Sequence, residues 1–159
     1  MRLPELSRLA KFHAEVRAAR RAETQAIAIY QAEIWALQRA GGSSARDRTL
    51  QLCEQILSEE KLHEQEVDSD DVGFGFEVAS ALLRSSGWLL GFAFSLLPSR
   101  LNWKAHVWAE REAAKGYRRA AAAAREAGLF QKEAVFLEIA RQENEHAERF
   151  RLLLMNFKD

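Results

Sequence analysis

Two short patterns stand out in the 159 residues: Glu60-Lys61-Leu62-His63 and Glu143-Asn144-Glu145-His146, each a glutamate followed three positions later by a histidine. On a helix, residues three apart share a face, so each pattern aims a carboxylate and an imidazole the same way, one turn apart. A single Glu-x-x-His occurs freely on solvated helices. Here each is preceded, at a comparable interval, by a lone glutamate, Glu23 or Glu110, and each lone glutamate is followed two turns on by a tyrosine, Tyr30 or Tyr117. The chain carries one design twice.

The six residues also fall in phase with apolar stripes. Glu23 lies within Val16, Ala19, Ile27, Tyr30, Ile34 and Leu37, and Glu60 and His63 within Leu52, Ile56 and Val67. Glu110 lies within Trp103, Val107, Ala114, Tyr117 and Ala121, and Glu143 and His146 within Phe136, Ile139, Phe150 and Leu153. Each stripe has the helical period of a core-facing surface, so four carboxylates are predicted to point inward. Burying them ionised and unpartnered would cost several kcal/mol each, more than a domain with about 5–15 kcal/mol of stability can absorb. Two divalent ions neutralise four carboxylates, and His63 and His146 add one neutral nitrogen donor to each. Carboxylate-rich sites with one imidazole per metal suit iron or manganese, whereas structural zinc prefers thiolates. The bland alternative is a set of surface ion pairs whose phase matches the core by accident. Tyr30 and Tyr117 read as core aromatics that donate to groups around the site.

The elements that must position these residues are helices. The chain is rich in Ala, Leu, Glu, Arg and Gln and has only two prolines, Pro4 and Pro98. Such composition leaves little room for strands. Gly41, Gly42, Ser43 and Ser44 break the first helix, and Ser44 with Asp47 resembles a capping box. Gly73 and Gly75 end the second, Pro98 and Ser99 open the third, and Gly128 separates it from the fourth. The expected helices run near 5–40, 44–70, 100–127 and 129–156, in a single domain over residues 1–159. Between Val72 and Leu97 lies an apolar connection interrupted by Glu77 and Arg84. Its uninterrupted run, Ser85 to Leu97, is short of the ~20 residues that cross a bilayer. A long, partly helical crossover there would let the third helix run parallel to the second, as in ferritin-like four-helix bundles.

Composition excludes several classes. Lys plus Arg and Asp plus Glu are 23 each, so no net field recruits nucleic acid. Arg17, Arg20 and Arg21 and the acidic stretch from Glu54 to Glu77 read as solvated faces. The single cysteine, Cys53, rules out a disulfide framework and any Cys-x-x-Cys module, so electrons for redox chemistry come from outside. The N-terminus lacks the apolar core of a secretory signal, and Glu5 and Glu15 count against a transit peptide.

With these residues in view, the chain resembles the demethoxyubiquinone hydroxylase family, small ferritin-like di-iron monooxygenases of ubiquinone biosynthesis. The resemblance runs from Arg20 to Phe150. It rests on Ala22-Glu23 with Tyr30, on Glu59-Glu60-Lys61-Leu62-His63, and on the apolar run Gly87 to Leu97. It continues through Asn102-Trp103-Lys104 to Ala109-Glu110 with Tyr117, and ends on Glu143-Asn144-Glu145-His146. The chain departs from the family in having Arg20-Arg21-Ala22 where Asp-His-Ala-Gly is usual, and Gly116 where a histidine often precedes the tyrosine.

The resemblance implies a di-iron site, with manganese as the other candidate metal, in which Glu60 and Glu143 bridge and Glu23 and Glu110 are terminal ligands. It implies hydroxylation of the ring of a polyprenylated demethoxyquinol by dioxygen, with two electrons from an external donor. Such a protein would be cytoplasmic and peripheral on the inner face of a bacterial membrane. Trp88, Leu89, Phe92 and Phe94 would then form a docking surface and substrate door; packing over the bundle end or a homodimer contact is the other reading of those residues. The nearest rival is a bacterioferritin-like ferroxidase, although Lys61 and Leu62 stand where its haem-binding methionine belongs. A rubrerythrin-like peroxide reductase is the next, and the chain has no four-cysteine module for it.

Overall fold

The computed structural model describes residues 3–67 and 74–157, and every element among them is helical. They are α1 Leu3–Arg39, α2 Ser44–Val67, α3 Phe74–Leu96, α4 Ser99–Glu126 and α5 Phe130–Asn156. The expected end of the second helix at residue 70 and its Gly73 stop signal lie outside the described residues. The breaks fall where the sequence places them, with one shift of register. Ser43, not Ser44, caps α2: its hydroxyl accepts the Arg46 N–H at 3.3 Å. Gly41 and Gly128 take positive φ, 72° and 76°, which a side chain would make costly at these two helix ends.

α1 packs against α2, α3 and α4, and α4 packs most extensively on α5. Side-chain pairs give the directions. Trp103 Nε1 donates to Thr49 Oγ1 at 2.8 Å, and Glu60 and Glu110 meet further along the same two helices, so α2 and α4 run parallel. Tyr30 reaches Glu110 while Tyr117 reaches Glu23, so α1 and α4 are antiparallel. Two apolar clusters result. One joins Phe12, Val16, Val67, Ala120, Phe136 and Ile139; the other joins Ala45, Leu52, Ile56, Trp103 and Phe150. Tyr117 belongs to the first and Tyr30 to the second, and the polar residues they touch form a layer between the two.

Within the crossover expected between Val72 and Leu97, Phe74–Leu96 form one continuous helix. It lies along α1 through Gly87 and Gly91. A Cβ on Gly87 would sit 2.7 Å from the Ala28 Cβ, and one on Gly91 would overlap the Ile29 carbonyl oxygen. Glycine one turn apart thus lets the two backbones approach closely. Gln25 Nε2 donates to Ser86 Oγ at 3.1 Å across the same seam. The opposite face of α3 is open: Leu82, Leu89 and Leu96 are 68 %, 75 % and 71 % exposed. Among the described residues, no helix is long and apolar enough to cross a membrane.

Candidate metal centre

Four helices each carry an acidic side chain inward because their apolar stripes must be buried and the carboxylates ride in phase with them. Glu23, Glu60, His63, Glu110, Glu143 and His146 are all brought to the middle layer, none more than 5 % exposed. They form two overlapping groups. Glu23, Glu60, His63 and Glu143 each offer a ligand atom within 4.8 Å of the others, and so do Glu60, Glu110, Glu143 and His146. Glu60 and Glu143 belong to both groups; each outer position has one glutamate and one histidine. Each group can hold a metal ion.

The inward-facing nitrogens are the Nδ1 atoms. His63 Nδ1 lies 3.0 Å from Glu143 Oε1, and His146 Nδ1 lies 3.2 Å from Glu60 Oε1 and 3.6 Å from Glu110 Oε2. The outward Nε2 atoms are occupied, by Gln142 Oε1 at 2.6 Å for His63 and by Glu59 Oε2 at 2.8 Å for His146. An acceptor at Nε2 fixes the tautomer with its proton there and leaves the Nδ1 lone pair facing the carboxylates, which is how an imidazole is prepared for a metal. Tyr117 donates to Glu23 Oε1 and Tyr30 to Glu110 Oε1. Burial first, and then the adjacent carboxylates, push both phenols well above the usual tyrosine range, so both stay protonated donors.

The donor set fits a pair of cations by two physical tests. With both Nδ1 atoms unprotonated, seven buried side-chain N or O atoms among the described residues lack a hydrogen-bond partner, and five of them are here: Glu23 Oε2, and His63 Nδ1, Glu143 Oε1, His146 Nδ1 and Glu60 Oε1, which face one another as acceptors. Orphaned buried polar atoms are rare, and five converging on one layer mark a place for an electrophile. Electrostatics agree. Burial lifts Glu60 and Glu143 to about 7, with Glu143 adding to the rise at Glu60 and Glu110 to that at Glu143. At His146 burial acts to lower the pKa, but the surrounding carboxylates outweigh it and the net shift is upward. Without cations the cluster retains protons, and those protons occupy the place of positive charge.

A cavity of about 490 Å³ opens between α1 and α4 beside this layer. Its walls are mostly apolar, from Ala18, Ala22, Ala26, Ile29, Ala109 and Ala113, with Leu90 and Phe94 contributed by α3. It reaches Glu110, Tyr30 and Tyr117. Of the α3 residues singled out in sequence, Phe94 turns inward and stands edge-on to His106, ring centres 5.3 Å apart. Trp88, Leu89 and Phe92 face outward, Trp88 against Trp35.

Sequence reasoning passed over a second buried polar cluster. Glu33 is fully buried, its Oε2 2.7 Å from His106 Nε2 and its Oε1 accepting from Asn102. His106 is stacked between Phe150 and Tyr30, ring centres 4.2 Å and 5.2 Å away. Cys53 lies within reach of the same group. Both Glu33 oxygens are already taken, by Asn102 and His106, while the Asn102 Oδ1 is left without a hydrogen-bond partner. The cluster's signal was present: Glu33 falls in phase with Tyr30 and Leu37 on the inward stripe of α1. Comparison of the chain with protein-family models, with curated proteins and with solved structures finds no match.

Proposed function

We propose that the chain is a ferritin-like four-helix bundle with a crossover helix, that it holds two iron ions, and that it hydroxylates the ring of a polyprenylated demethoxyubiquinol-type quinol. The observation that carries this reading is the junction of an apolar cavity with a doubled carboxylate–histidine cluster that shares two of its glutamates. A glutamate from each of two helices with Glu-x-x-His from each of the other two is the di-iron carboxylate pattern of such bundles. Glu23 with His63 and Glu110 with His146 would hold one ion each, with Glu60 and Glu143 common to both. Manganese fits the same donors.

When bound, the iron pair supplies dioxygen activation, the chemistry that the side chains lack. The overall balance is one substrate C–H, one dioxygen, two electrons and two protons giving one C–OH and one water. Those electrons come from an external donor, since the chain has a single cysteine. The protein's own share is positional. Tyr30 and Tyr117 each donate to one oxygen of an outer glutamate and so orient it. The alanine-rich walls suit an apolar ring, in a volume typical of small-molecule sites. A polyprenyl chain is carried by the bilayer, and the exposed leucines of α3, which also lines the cavity with Leu90 and Phe94, suit a peripheral docking helix. The cavity favours an organic substrate over the storage and peroxide readings, which need none.

The test is dioxygen uptake by the reduced, iron-loaded protein with and without a demethoxyquinol, scored by product mass. Quinol-dependent uptake with a product heavier by one oxygen atom is expected. Uptake independent of quinol, with ferric iron accumulating in a large cage on size exclusion, would overturn hydroxylation in favour of storage; turnover of peroxide alone would favour a reductase.

A further inference from the structure

The repeat that builds the centre is broken at one place. The residue immediately before each Glu-x-x-His is Glu59 on α2 and Gln142 on α5, and each reaches across to the imidazole carried by the opposite helix. His146 Nε2 meets a carboxylate oxygen at 2.8 Å; His63 Nε2 meets an amide oxygen at 2.6 Å. Both contacts fix the same tautomer. They differ in charge. Glu59 is held in place by Arg149, whose Nη1 donates to its other oxygen at 2.7 Å. Gln142 is held by Glu138, which accepts its Nε2–H at 3.0 Å and so directs its Oε1 to the histidine.

A carboxylate behind an imidazole, even one paired with an arginine as Glu59 is with Arg149, accepts the ring N–H more strongly than an amide oxygen does and so raises the ring's strength as a donor. Replacing such partners typically changes metal affinity about 10–100-fold. We infer that Glu59 and Gln142 make the two halves of the centre unequal, so that the half closed by Glu110 and His146 takes up its divalent cation first and holds it more tightly. That half also borders the cavity through Glu110. Glu59 and Gln142 are thus positioning residues, acting on the ions through His146 and His63. This inference rests on the two-metal reading above.

Sequential uptake alone does not test it, because the first ion to engage Glu60 and Glu143 weakens the site for the second in any case. The informative question is which half fills first. Chelator-stripped full-length protein is titrated anaerobically with Co(II), followed by its visible absorption and by equilibrium dialysis. His63→Ala is expected to keep the tight step and lose the weak one, and His146→Ala to lose the tight step. Glu59→Gln should weaken the tight step by about 10–100-fold and spare the weak one. Gln142→Glu should strengthen the weak step, and it keeps the test open if Glu59→Gln fails to fold. Isotherms that Glu59→Gln and Gln142→Glu leave unchanged, or a Glu59→Gln that weakens both steps alike, overturn the inequality while sparing the two-metal centre. A wild-type protein that binds no Co(II), Mn(II) or Fe(II) overturns both.

Discussion

Stripping the centre of cations should make the protein less stable as pH rises from about 5 to about 7.5. Glu60 and Glu143 have an ordinary value of 4.5, and burial followed by neighbouring carboxylates lifts both to about 7. A carboxyl whose folded pKa exceeds its unfolded one holds its proton more tightly when folded. Its stabilising contribution is complete below the unfolded value and is lost as pH climbs through the folded one. His63 and His146, also shifted upward, act with the same sign. Glu110, shifted downward, acts with the opposite sign, but its window lies below 4.5. The surface acids Glu138 and Glu148, held low by Arg141 and Arg151, also titrate beneath this range. At roughly 1.4 kcal/mol per pKa unit, one carboxyl raised from 4.5 to about 7 costs about 3 kcal/mol at alkaline pH. The coupled pair costs between one and two such increments, a large part of a total of about 5–15 kcal/mol. Urea denaturation of chelated protein, followed by far-UV circular dichroism, should show the midpoint falling across this interval. Mn(II) should restore it, most strongly at the upper end, where protons no longer compete for the donors. A chelated protein whose midpoint is flat or rises from pH 5 upward, and which Mn(II) does not shift, would refute the reasoning that these carboxylates face one another in a cation site.

Three further outcomes are expected. His63→Ala or His146→Ala should each remove one metal per chain by elemental analysis and abolish turnover while leaving helical content nearly intact, because bundle stability comes mostly from apolar burial; loss of the fold together with activity would make the metals structural. Gly91→Ala, whose Cβ overlaps the Ile29 carbonyl oxygen, should cost about 1–3 kcal/mol by urea denaturation and loosen α3 from α1, whereas Ser85→Ala on the exposed side should be nearly neutral. The wild-type protein should co-sediment with anionic vesicles, and Trp88→Glu with Phe92→Glu should weaken this while both metals stay bound. Protein that remains in the supernatant whatever the lipid would point to a soluble substrate. Arg84 and Arg100 flank the apolar run in sequence, and Arg100 Nη2 donates to the Phe157 carbonyl at 3.1 Å, tethering the C-terminal end of α5.

The sequence alone determined the helices and the identity of the six inward residues, and the reason is periodicity. A carboxylate in phase with Val16, Ile27 and Leu37, or with Ile56 and Val67, has nowhere to go but the core once those side chains are buried. Glu33 obeys the same rule and was readable by it, yet it has no counterpart in the other half of the repeat and so escaped notice. The capping register was less legible, since Ser43 and Ser44 are chemically identical and only the folded backbone, with Gly41 at φ 72° and the Arg46 N–H on the Ser43 hydroxyl, selects between them. What tertiary structure decided is everything that depends on one helix meeting another. Glu59 and Gln142 look like ordinary exposed positions in sequence, and they acquire a role because α2 and α5 pack so that each reaches the opposite histidine. The division of the cluster into two groups sharing Glu60 and Glu143 is likewise a distance, not a pattern. Nor could composition say how the apolar run of α3 would divide. Close approach at Gly87 and Gly91 fixes the helix's rotation, turning Phe94 toward the cavity and leaving Leu82, Leu89 and Leu96 outside. Residues of equal hydrophobicity thereby fall to opposite faces, because burial is decided by the neighbour across the interface and not by the side chain itself.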